Sequence, residues 1–151
     1  MRHISRRAAL ALSAGGAALT VLGWNGAASA TPKAAADSIA KFTGGKTAEQ
    51  GKVSIEMPEI AENGNTVPLS VSVDSPMTDA DHVTDIVVLA EGNPNPGVAT
   101  FHFTAMSGRA EAATRIRLAT TQNIVVVAKT STGKFYTAHK LVKVTIGGCG
   151  G

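Results

Sequence analysis

At 151 residues, 44% of them hydrophobic and 17% charged, the chain can build one domain with a real core but not two. The formal charge of +3 comes from Arg2, Arg6 and Arg7; past residue 30 the acidic and basic side chains balance. A balanced chain without basic clusters excludes nucleic acid and an anionic membrane as main partners.

The opening segment, MRHISRRAALALSAGGAALTVLGWNGAASA, is basic at its start, then uncharged, and closes on Ala28-Ser29-Ala30. That layout predicts a removable export signal over residues 1–30. Ser5-Arg6-Arg7 with Leu10 resembles a twin-arginine address, although Ala9 stands where a large apolar residue is usual. Gly15, Gly16 and Gly23 interrupt the apolar run, which argues against a membrane anchor. Cleavage after Ala30 removes Trp24, the one tryptophan, and leaves a domain over 31–146 followed by a tail over 147–151.

In 33–43, Ala35, Ile39 and Phe42 fall on one face of a short helix, which Gly44-Gly45 should stop. After that the period becomes two. Val53, Ile55 and Met57 alternate with polar residues, as do Val67, Leu69, Val71 and Val73, and Pro68 suggests an edge strand. Residues 85–91 are apolar on both sides, and 93–97, NPNPG, read as a turn. Phe101 and Phe103 point one way and His102 the other; Ile116 and Leu118 point inward with Arg115 and Arg117 outward. A second two-sided strand, 123–130, turns at Thr132-Gly133 into a last one over 134–146.

About seven short strands predict an all-β chain: an immunoglobulin-like antiparallel β-sandwich with a short N-terminal helix. Two strands apolar on both faces need cover on the outside. Either the N-terminal helix lies over Val87, Leu89, Val125 and Val127, or another subunit does.

The chemistry of common active sites is missing. His82, His102 and His139 form no H-x-x-x-H, there is no C-x-x-C, and Asp79, Asp81 and Asp85 lack the spacing of a calcium loop. TGGKT at 43–47 lacks phosphate-loop spacing and joins no strand to a helix. No catalytic residue, metal ligand or cofactor site is expected in this chain.

The chain's one cysteine, Cys149, stands between Gly147-Gly148 and Gly150-Gly151. An unpaired cysteine in an exported protein forms a bond to another molecule or serves as a reactive thiol. No charged residue flanks it, so its thiol must be activated by a partner's site. A nucleophile for catalysis needs a base and an oxyanion hole held in place, which a glycine tail does not offer. A slim, flexible arm of Gly147, Gly148, Gly150 and Gly151 does suit a carrier. From Ile146 to Cys149 an extended chain spans roughly 10 Å and can enter a narrow channel.

The terminal GGCGG, with FTGG at 42–45, PEIAENGNTVPLSV at 58–71, SPM at 75–77, NPNP at 93–96, TRIRLA at 114–119 and VKVTIGG at 142–148, resembles the SoxY family. These are sulfur-carrier subunits of the periplasmic thiosulfate-oxidising (Sox) system. The resemblance implies an immunoglobulin-like fold and a heterodimer with a SoxZ-like subunit. It also implies three further partners: a c-type cytochrome loading complex, a manganese-dependent sulfate-releasing hydrolase, and a molybdenum–haem sulfane dehydrogenase. Cys149 would carry every intermediate covalently, with the metals belonging to the partners. A twin-arginine route would suit export of a folded pair.

Two other readings stay open. Gly150-Gly151 could carry sulfur as a thiocarboxylate, though that chemistry needs ATP. Alternatively, the domain is a structural or adhesive sandwich whose Cys149 forms a disulfide between chains.

Overall fold

The computed structural model describes residues 32–148. The expected export signal and the end of the tail, Cys149 with Gly150 and Gly151, lie outside the described residues.

The helix forms where the apolar spacing requires it, as α1 (Pro32–Thr43). Proline suits a first turn, where its missing N–H would have no helical partner. The helix ends in a Schellman arrangement: the Gly45 N–H donates to the Ala40 carbonyl at 3.0 Å, with Gly44 at φ 63° and Gly45 at φ 79°. The glycines of TGGKT are thus a helix stop.

The strands follow as β1 (Glu49–Gln50), β2 (Val53–Glu56), β3 (Ile60–Asn63), β4 (Val67–Val73), β5 (Val83–Ala90), β6 (Gly97–His102), β7 (Ala110–Ile116), β8 (Gln122–Thr130) and β9 (Phe135–Ile146). The larger sheet runs β1-β9-β8-β5-β6, with β3 also pairing β9; the smaller runs β2-β4-β7. Their facing sides make the core. Val67, Leu69, Val71 and Val73 of β4 join Ile86 and Val88 of β5, Ile124 and Val126 of β8 and Val142 of β9 in one buried cluster. Ile116 and Leu118 are buried and Arg115 and Arg117 exposed, as their alternation requires.

The sandwich expected from the alternation is the one found, and it carries nine strands among the described residues where about seven were expected. The additional ones, β1 and β3, are short and pair parallel to β9. Their residues are mostly exposed and lack the apolar alternation that marks the other strands. Pro68 does not mark an edge strand: β4 is the middle of three. The proline is tolerated because β2 reaches only as far as Glu56 opposite Ser70, so β7 alone lies beside β4 at Pro68.

The outer face of the larger sheet carries a second cluster of Leu89, Val125, Val127 and Phe135. Ile39 and Phe42 of α1 pack onto it, with Ala48 and Val87. The Phe42 and Phe135 rings meet edge to face at 5.8 Å. Burying a valine of this kind is worth about 1.5–3 kcal/mol, which explains why the helix is held there. The two-sided strands are therefore accounted for within the chain, and they no longer argue for a partner subunit.

Candidate functional site at the C-terminal end

Strand β9 delivers the tail. It runs antiparallel to β8 from Phe135 opposite Lys129 to Val142 opposite Gln122, and continues beside β3 to Ile146 opposite Asn63. The Val144 N–H donates to Thr121 Oγ1 at 2.9 Å, tying the end of β9 to the loop after β7.

Gly147 and Gly148 follow directly, and they are not free of the sandwich. Gly148 is buried, and its N–H donates to the Leu118 carbonyl at 2.9 Å. The turn after β3 closes the same spot, with the Gly64 N–H donating to the Ile146 carbonyl at 2.7 Å and the Leu118 N–H to the Gly64 carbonyl at 2.8 Å. The tail glycines expected to be flexible thus divide: Gly147 and Gly148 lie against backbone, while Gly150 and Gly151 fall with Cys149 outside the described residues.

Behind this contact sits a polar network that the alternation of apolar residues does not announce. Asn93 is 2% exposed and Gln122 5%. Asn93 Nδ2 donates to the Arg117 carbonyl, and its Oδ1 accepts from the Ala119 N–H and Gln122 Nε2, each at 2.9 Å. Gln122 Oε1 accepts from the Gly92 N–H at 2.7 Å, and its Nε2 also donates to the Thr120 carbonyl. Every polar atom of both amides has a partner, as burial demands.

The other candidate residues stay apart. His102 Nδ1 lies 2.6 Å from Asp85 Oδ1 on an exposed strand position, and His82 Nδ1 lies 2.9 Å from the Thr78 carbonyl within its own turn. Asp81 closes that turn through Thr78. His139 is exposed on β9. Among the described residues no three His, Cys, Asp or Glu side chains are grouped to hold a metal ion. None of the described helices is long and apolar enough to cross a membrane.

A protein-family model described as "Sulfur oxidation protein SoxY" matches residues 39–149. The solved structure of the sulfur carrier protein SoxY from Chlorobium limicola f thiosulfatophilum is similar at 36% identity, with a TM-score of 0.64 over 77% of this chain and 100% of that one. The superoxide reductase (neelaredoxin) of Ignicoccus hospitalis is similar at 22% identity and TM-score 0.56, over 80% of this chain and 98% of that one. The superoxide reductase of Nanoarchaeum equitans is similar at 12% and 0.54, over 64% and 100%. These two likenesses are of fold alone. No curated protein matches the sequence.

Proposed function

The chain belongs to the SoxY family of sulfur oxidation proteins, and from that premise we propose that it carries thiosulfate-derived sulfur covalently on Cys149 and presents it to partner enzymes. The supporting observation is the family match itself, which extends through Cys149. It is joined by the 36% identity to a protein described as a sulfur carrier.

The chemistry asks little of the chain and much of its partners. Loading joins Cys149 Sγ to the sulfane sulfur of thiosulfate, with loss of the thiol proton and of two electrons to a c-type cytochrome complex. Water then cleaves the bond between sulfane and sulfonate sulfur; sulfate leaves, and a persulfide stays on Cys149. A sulfane dehydrogenase takes six electrons and six protons as three waters supply oxygen, giving a cysteine S-sulfonate. A second hydrolysis releases sulfate and returns the thiolate. The chain contributes one sulfur and a thin approach to it. Without bulky neighbours, Cys149 can enter a site that excludes water, where a partner's charges activate the thiol.

The same reading makes this chain the non-catalytic half of a heterodimer with a SoxZ-like subunit, exported to the periplasm by the signal at 1–30. Its partner expectation rests on the family, since α1 already covers the apolar outer face.

The test is intact mass after incubation with thiosulfate and a periplasmic extract of the host. The unchanged chain should gain a thiosulfate adduct removable by reductant. Cys149→Ser should gain none and keep its melting temperature. An adduct on Gly151, or loss of assembly in Cys149→Ser without any adduct on the unchanged chain, would replace the carrier reading with a thiocarboxylate or an interchain disulfide.

A further inference from the structure

Three backbone segments meet where the tail leaves the sandwich: the turn at Gly64, the loop at Leu118–Ala119, and Ile146–Gly148. The meeting admits no side chain. A Cβ on Gly147 would overlap the Ala119 carbonyl oxygen, and one on Gly148 would stand 2.7 Å from the Gly64 carbonyl oxygen. A Cβ on Gly64 would overlap the Leu118 carbonyl oxygen and stand 2.7 Å from the Gly148 nitrogen. All of these are backbone atoms, which cannot rotate aside as a side chain would. The loop that supplies Leu118 and Ala119 is fixed in turn by Asn93, through Arg117 on one side and Ala119 on the other, and Asn93 is fixed by Gln122.

We propose that Gly64, Leu118 and Ala119 form a seat that docks Gly147–Gly148, and that Asn93 and Gln122 are positioning residues holding this seat, so that the carrier cysteine leaves the sandwich from one defined point. The inference rests on Cys149 being the carrier, and it gives the first glycine pair a different purpose from the second. Gly147 and Gly148 are glycine because the seat has room for nothing else. While they are docked, the free tether begins only after Gly148; released back to Ile146, it lengthens to three residues and roughly 10 Å up to Cys149. The seat thus sets how far the sulfur reaches without a partner's help.

The experiment uses the full exported chain with any subunit that co-purifies, and compares it with Gly147→Ala and Asn93→Asp. The Asn93→Asp carboxylate keeps acceptors for Ala119 and Gln122 but loses the donor to the Arg117 carbonyl. Hydrogen exchange reads the seat directly. In the unchanged chain the Gly148 amide should exchange at least tenfold more slowly than in a free peptide. Gly147→Ala should remove that protection and Asn93→Asp reduce it, while the amides of Val125 and Val126 in β8 keep theirs and report an intact fold. Alkylation of Cys149 reads the positioning: the rate with a bulky polyethylene-glycol maleimide, relative to iodoacetamide, should rise severalfold in both variants. A Gly148 amide that exchanges at the peptide rate in the unchanged chain, or an alkylation ratio the same in all three proteins, overturns the seat. Neither measurement uses thiosulfate, so failure of the seat is distinct from failure of loading.

Discussion

On the outer face of the larger sheet, Ile39 and Phe42 of α1 lie against Leu89, Val125, Val127 and Phe135, and the contact is made of side chains without polar atoms. At the sandwich end around Gly64 the contacts run backbone to backbone, or through the amides of Asn93 and Gln122. The first region tolerates small shifts, because dispersion contacts fall off gradually and have no direction. The second does not, because a hydrogen bond lost in a buried place leaves its partner unsatisfied. The carrier proposed here needs a stable cover and a defined exit for its tail, and the two regions suit those two needs separately.

Substitutions in each region should separate them. Phe135→Ala removes a ring that is 6% exposed and the edge-to-face contact with Phe42, and should cost about 3–5 kcal/mol in denaturant unfolding. Its surviving folded fraction should keep the Gly148 amide protected. Asn93→Ala strands the Arg117 carbonyl and the Ala119 N–H, and should cost about 2–3 kcal/mol while exposing Gly148 to exchange. If both variants changed Gly148 equally, the two regions would be one cooperative unit and the division above would fail. Ile39→Ala, at a half-buried position of the helix, should cost about 1 kcal/mol by the same unfolding measurement and leave Cys149 alkylation unchanged. Lys33→Ala removes an exposed pairing with Asp37 at 3.0 Å and should shift stability by only about 0.3–0.5 kcal/mol, less still at high salt.

How much of this could be read from the sequence also follows the division. The helix over 33–43, its stop at Gly44-Gly45 and the inward face of β4 were legible, because burial in these elements repeats with the period of the backbone. Whether α1 or another subunit covered Val125 and Val127 was not, since periodicity marks a face as buried without saying by what. The Gly64 seat was less legible still. NPNP at 93–96 reads as an ordinary turn and NGN at 63–65 carries no reading of its own; the reason for Gly64 lies in the backbone of Leu118 and Gly148, and that for Asn93 in backbone groups 24 and 26 residues further on. Gly147 and Gly148 read together with the tail for the same cause: glycine as freedom and glycine as close approach are the same letter. A usable signal was the coincidence of two glycine-bearing turns with a double glycine directly after an alternating strand.

Strand β9 has a further consequence. It pairs with β8 on one side and with both β1 and β3 on the other, so segments made early in synthesis wait for one made late. A nascent chain halted before Phe135 would leave β1 and β3 without a ladder and β8 with a bare flank, an invitation to adhere to other chains. Synthesis must therefore pass β9 before the sandwich can close, and closure and the arrival of the segment that leads into Gly147 and Gly148 become a single event.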